Sequence, residues 1–180
     1  MDGFNFYRIK TEWTSEQEDG ALKKTKTEEL VYASSYTEAE KVAYDLIERC
    51  ERTRFGEANF EIIKTKISEL LWDNILVLDT NPIDGLVMDF FEESDSTGVG
   101  MYQVRVLFTE IDEKTAKEKR STENIFIPAR SNSEAANAVL SYLKKTGDNR
   151  DYVVRDTRFD KAEAILWPAE VRANKINRMY

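Results

Sequence analysis

The stretch "FEIIKTK", Phe60 to Lys66, sets one carboxylate, Glu61, close to two ammonium groups, Lys64 and Lys66. A carboxylate with nearby lysines can hold a hard divalent cation and steady a phosphate, which is the outline of a metal-dependent nuclease site. The same residues also suit ordinary exposed strand positions, where acids and lysines alternate. Other chemistry is narrowed by composition. The chain has no histidine and a single cysteine, Cys50, so Ser/His/Asp and Cys/His triads, internal disulfides and the usual zinc and copper sites are excluded. The seven glycines are scattered, and "KKTGDN" at 144–149 lacks the glycine spacing of a phosphate-binding loop. These absences point to a non-enzymatic protein without a cofactor or a bound metal.

Bases and flat rings recur at strand positions: Arg8, Lys10, Lys64, Lys66, Arg105 and Arg158, with Phe60 and Tyr152 at matching parity. Alternate residues of a strand share a face. Cations that follow phosphates, beside rings on which bases stack, fit single-stranded nucleic acid, and these eight residues are the expected contacts.

Charge is unevenly spread. Between Ile67 and Val104 there are eight acids and no base, and the rest of the chain is balanced, so the whole net charge of −8 falls in that window. Within it, "GLVMDFFEESD" joins an apolar anchor to carboxylates. Phe90, Phe91, Glu92, Glu93 and Asp95 form a mixed aromatic and acidic peptide that suits a basic groove on a protein partner. This is the alternative to nucleic acid: an interaction module or inhibitor acting on a host or phage protein. The end of the chain, "VRANKINRMY", carries Arg172, Lys175 and Arg178 without an acid, and can serve phosphates or dock on the acidic segment.

The elements that position these groups occur twice. At a shift of 96 residues "ASSYTEAEKVAYDLI" matches "ARSNSEAANAVLSYL". Ser35 with Glu38, and Ser131 with Glu134, read as capping boxes at helix starts. Apolar residues at helical spacing follow each box, and Cys50 closes the first series as a small buried hydrophobe. Two alternating segments precede each helix and read as a hairpin, and one strand follows, "NFEIIKTKISELLW" or "DYVVRDTRFDKAEAIL". The expected fold is α+β: two tandem strand-strand-helix-strand repeats form one pseudo-twofold domain, with helices packed on antiparallel sheet. The first repeat spans 1–72, an acidic connector 73–99, the second repeat 100–167 and a basic tail 168–180. The connector's apolar first part, "NILVLDTNPIDGLVMDFF", should pack as an extra strand or an edge cover.

The strings "YQVRVLFTEIDEKTAKEKRSTENIFIPARS", "ELVYASSYTEAEKVAYDLIE" and "FEIIKTKISELLW" resemble an uncharacterised family of small proteins from Bacteroides-type bacteria and their phages, classified as a domain of unknown function. The resemblance covers nearly all of the chain except the connector, which is longer here. It implies a phage or mobile-element context and supplies no catalytic residue. No apolar run is long enough to span a bilayer, and "MDGFNFYRIK" lacks the order of a secretory signal, so a cytoplasmic location is expected. A homo-oligomer remains open.

Overall fold

The computed structural model describes residues 5–71, 79–80, 83, 85–90 and 98–179. Alternation of Tyr7, Ile9 and Thr11 with Arg8 and Lys10 makes β1 (Asn5–Glu16), which forms an antiparallel hairpin with β2 (Leu22–Ala33). Helix α1 (Tyr36–Arg49) begins where Ser35 Oγ accepts the Glu38 amide at 3.1 Å. The Glu38 carboxylate reaches back to the Ser34 amide at 2.8 Å, one residue earlier than a standard capping box. The chain then returns along β1 as β3 (Asn59–Thr65), and β4 (Glu69–Leu70) follows.

After β5 (Asp79–Thr80) and β6 (Leu86–Phe90), the same order recurs. Strands β7 (Gly100–Ile111) and β8 (Glu118–Ala129) form the second hairpin, helix α2 (Asn132–Thr146) is capped by Ser131, and β9 (Asp151–Asp160) pairs with β7. The chain ends with β10 (Ala164–Pro168) and α3 (Ala169–Met179).

The result is α+β, mostly strand, with two open sheets and three helices among the described residues. One sheet has the order β3-β1-β2-β10-β6-β5, the other β4-β8-β7-β9. Neither expected downstream strand is a single strand. Each divides between the sheets: β4 leaves β3 to pair parallel with β8 (Glu69 opposite Ile125), and β10 leaves β9 to pair parallel with β2 (Ala164 opposite Glu29). The sheets are therefore mixed, where purely antiparallel pairing was expected. The break after β9 has a local cause, since Asp160 turns its carboxylate onto the Ala162 amide at 2.8 Å. The connector does add a strand: β6 pairs antiparallel with β10, and Met88 is buried under α1.

Helices α1 and α2 each cover one sheet, as their apolar spacing requires. Ala39, Val42, Ala43 and Leu46 of α1 pack on Tyr7, Ile9, Val31 and Leu166. Ala135, Val139 and Leu143 of α2 pack on Val104, Val106, Phe108 and Ile125. A third cluster joins the sheets, with Phe6, Leu30, Ile165 and Trp167 from one and Leu70, Met101 and Phe126 from the other. Trp167 is fully buried, and its indole N–H donates to Asp89 at 2.6 Å. Arg172 of α3 balances that carboxylate with Nε at 2.9 Å, so one acid of the connector serves the interior and the basic end docks on it. Cys50 departs from expectation: it is exposed, because it caps α1 one turn beyond the last buried residue, Leu46. Among the described residues no helix is long and apolar enough to cross a membrane.

Candidate nucleic-acid interface

The eight expected contacts do not form one surface. Arg8 is only 8% exposed and is committed to carboxylates. Its two terminal nitrogens meet the two oxygens of Asp160 at 2.8 and 2.7 Å, and one also meets Glu28 at 2.9 Å. Burial alone would raise the Asp160 pKa, but Arg8, the Ala162 amide and Gln103 together hold it below the usual carboxylate range. The guanidinium rises correspondingly: burial would lower it, and Asp160 and Glu28 outweigh that. Such a fork-to-fork pair fixes geometry across the two sheets, and it takes Arg8 away from any phosphate.

Register divides the others. Lys10 faces Glu28 and Glu61, with its ammonium 3.8 Å from Glu28. On β3, Phe60 and Lys64 stand opposite Thr11 and Tyr7, on the α1 side of the sheet, whereas Glu61 stands opposite Lys10 on the other. Directly opposed residues share a face, so Glu61 and Lys64 do not converge and the nuclease outline is not assembled. Phe60 is half-buried and meets the ring of Tyr44 edge-on, with centroids 4.9 Å apart. Arg105 and Arg158 flank Asp156, each at 3.7 Å. Tyr152 lies on the other face. A bulge in the β7–β9 ladder at Arg155 switches the parity, so Tyr152 and Val154 pack on the α2 cluster while Asp156 and Arg158 point away from it. Phe90 is half-buried against the cluster under α1, and Phe91, Glu92, Glu93 and Asp95 lie outside the described residues, as do the side chains of Lys175 and Arg178.

Charge separates the surface hollows. One is lined by Lys10, Lys26 and Lys161 but also by Glu12, Glu28 and Glu61. A second sets Arg54 beside Glu48 and Glu51, and a third sets Lys41 and Arg49 beside Glu38 and Asp45. The fourth, of about 510 Å³, is lined by Asn5, Phe6, Tyr32, Lys64, Thr65, Lys66 and Ile67, with two bases and, among the described residues, no acid. It lies where β3 ends at the sheet edge, beside the interior shared by the two sheets. Phe6 and Tyr32 are directly paired across β1 and β2, with ring centroids 4.8 Å apart and planes tilted by 54°. Phe6 is buried in the shared cluster, and Tyr32 and Ile67 pack against it half-buried. Lys64 and Lys66 are exposed and form no ion pair among the described residues.

Two of the sequence-predicted bases, Lys64 and Lys66, thus border one hollow with Phe6 and Tyr32, rings to which the sequence reading gave no role, although the register sets Lys64 on the opposite face of the sheet from Phe6. The one available signal was that Phe6 and Tyr32 stand at the beginning and end of segments predicted to form one hairpin. Their proximity to Lys66 depends on β3 pairing with β1, a long-range register. Among the described residues no group of three or more His, Cys, Asp or Glu is placed to hold a metal ion.

The fold and this hollow define a two-sheet α+β protein with a basic, aromatic-floored recess. A family model for a domain of unknown function, DUF4494, matches residues 5–166, and the chain belongs to that family. No curated protein and no solved structure matches it.

Proposed function

We propose that the chain is a non-enzymatic protein that binds single-stranded nucleic acid, with the hollow beside Lys64 and Lys66 as its primary contact. The observation that carries this reading is that Lys64 and Lys66, exposed and without an ion pair among the described residues, border a recess that also holds Phe6 and Tyr32 and whose described lining has no carboxylate. Ammonium groups there attract phosphate, and the apolar floor accepts a base taken out of the stack. The net charge of −8 does not oppose this, because binding depends on where charge sits, and a run of acids lies in the connector. Lys10, Arg105 and Arg158 have carboxylate neighbours and act as secondary contacts along the strand. The alternative, a partner-binding connector, is less favoured because Phe90, the first residue of its aromatic anchor, packs against the cluster under α1.

The same reading takes the chain as a cytoplasmic protein of phage or mobile-element origin, built by internal duplication into a pseudo-twofold body. Duplication is supported by the two capping serines, 96 positions apart, whose backbone angles agree within a degree, and by the reciprocal passage of β4 and β10 into opposite sheets.

Titration of fluorescent oligo(dT) at two salt concentrations tests the function. Binding should weaken steeply with salt, the logarithmic slope giving about 0.7 per phosphate neutralised. Absence of binding by the intact chain at low salt would remove the proposal.

A further inference from the structure

Among the described residues the outer strands are β3 and β5 in the first sheet and β4 and β9 in the second. An edge strand presents unpaired amides and carbonyls to any other strand, and proteins blunt such edges by shortness, bulges and charge. Strands β4 and β5 have two residues each. Strand β9 is bulged at Arg155 and carries Asp151, Arg155, Asp156, Arg158 and Asp160. Strand β3 has none of these features. Its ladder with β1 runs without a shift from Asn59 to Thr65, and only Glu61 and Lys64 in it are charged. Phe60, Ile62 and Lys64 stand on the α1 side of the sheet, and Glu61 and Ile63 on the other. Ile63 is 38% exposed, and Tyr44, 60% exposed, extends the apolar border through its edge-on contact with Phe60. Among the described residues no strand pairs with the outer side of β3.

We infer that this open edge pairs antiparallel with β3 of a second copy, joining the first sheets of two chains across a twofold axis. Such an axis stands normal to the joined sheet and keeps like faces together, so opposed residues share parity. Charge and length then choose the register. Centring on Glu61 or on Lys64 sets like charges against each other, and centring on Ile63 pairs only Glu61 to Thr65. Centring on Ile62 pairs the whole of β3. Ile62 then meets the partner's Ile62, Glu61 meets the partner's Ile63, and Lys64 meets the partner's Phe60. In that register no charge opposes its like, and each Lys64 ammonium lies at an aromatic ring, where cation and ring attract. The inference stands apart from the nucleic-acid reading and shares only Lys64 with it.

Sedimentation velocity on the full chain tests it. A seam of this length belongs with the weak interfaces, so a monomer–dimer equilibrium is expected between about 10 µM and about 1 mM. The register is read at Ile63, whose exposure lets it be changed with little effect on the interior. Ile63→Glu sets two carboxylates against the partner's Glu61 at each of the two symmetry-related places and should weaken the dimer about ten-fold, whereas Ile63→Lys sets opposite charges there and should tighten it by about the same factor. A dimer weakened alike by both substitutions, or changed by neither, would overturn the seam. A chain monomeric at every concentration would overturn self-pairing and leave the edge to a strand from another protein. Neither result depends on whether oligo(dT) binds.

Discussion

Helices α1 and α2 are each followed by an arginine that returns over an aromatic ring of the hairpin's first strand, but the two arginines meet different floors. After α1, Arg52 stands 5.9 Å from the Trp13 ring, donates to Thr11 at 3.3 Å and pairs with Glu29; it is 5% exposed. After α2, Arg150 stands 3.8 Å from the Phe108 ring and is held at the surface by Asp148 at 2.7 Å and Glu123 at 3.4 Å. The floor explains the difference. In the first sheet Ile9 is opposite Glu29 and Thr11 opposite Thr27; in the second Val104 is opposite Ile125 and Val106 opposite Glu123. A carboxylate in the first floor draws its arginine inward, whereas an isoleucine in the second leaves it outside. The inward solution is incomplete. Trp13 Nε1, Thr27 Oγ1, Glu29 Oε2 and Arg52 Nε are buried without a hydrogen-bond partner, and among the described residues these are all the buried side-chain atoms of that kind. Each such atom costs on the order of 1–3 kcal/mol, so the first sheet holds the less stable arrangement.

Removing one member of the buried pair should have the largest effect. Arg52→Ala leaves the buried Glu29 carboxyl unpaired, and should destabilise the fold by roughly 3–5 kcal/mol in urea denaturation. Replacing both partners in the manner of the second sheet, Glu29→Ile with Arg52→Leu, should be neutral or stabilising by about 1–4 kcal/mol, because the desolvation cost leaves with the charges. Arg150→Ala should cost only about 1 kcal/mol: its ion pairs face water, and the contact with Phe108 is worth about 0.5–1 kcal/mol. Equal losses for Arg52→Ala and Arg150→Ala would erase the distinction between the two floors.

Acidity sharpens the comparison, because two of the buried carboxylates, Glu29 and Asp160, move in opposite directions. Burial raises the Glu29 pKa above its usual 4.5 despite Arg52. Its contribution is therefore greatest below pH 4.5 and is lost as pH rises through the raised value. Asp160 is held below its usual 3.8, so its contribution is present above pH 3.8 and is lost as pH falls through the lowered value. In denaturation curves collected across pH, Glu29→Gln should remove a decline in stability above pH 4.5. Asp160→Asn should lower stability near neutrality and remove part of the acid-side loss. A Glu29→Gln profile parallel to that of the parent chain would show that the carboxylate is not desolvated as its burial requires.

Local features of this fold were legible in the sequence, and long-range ones were not. Ser35 and Ser131 announce helix starts because a cap acts within three residues, and the alternation around Ile9 and Val104 announces hairpins because the pleat repeats every two. The connector's apolar richness, rather than any alternation, pointed to an added strand or edge cover, and β6 is that strand. The crossings at Glu69 and Ala164 are invisible to periodicity, since β4 has two residues and β10 five, too few to establish a pattern. Arg8 reads as an exposed base until Asp160, 152 residues away, is brought beside it. The bulge at Arg155 likewise turns Tyr152 from a platform into part of the core, and nothing in "DYVVRDTRFD" marks the extra residue. The hollow was half legible: its lysines stood out by charge, and its floor required a register.

The smallest expected difference lies at the helix starts, where the two halves are most alike. Ser35 and Ser131 each accept an amide at 3.1 Å, so Ser35→Ala and Ser131→Ala should each cost about 1 kcal/mol. They differ in what the glutamate does. Glu38 accepts from Ser34, through both its amide and its hydroxyl, whereas Glu134 turns to Arg130 at 3.7 Å. An exposed ion pair is worth less than about 1 kcal/mol and weakens with salt, while an amide bonded to a carboxylate is less easily screened. Glu38→Gln and Glu134→Gln should therefore separate in salt: the loss at Glu134 should vanish at high ionic strength, and part of the loss at Glu38 should persist. If both losses vanished alike, the reach of Glu38 to the Ser34 amide would add nothing beyond its charge, and the two helix starts would be energetically the same.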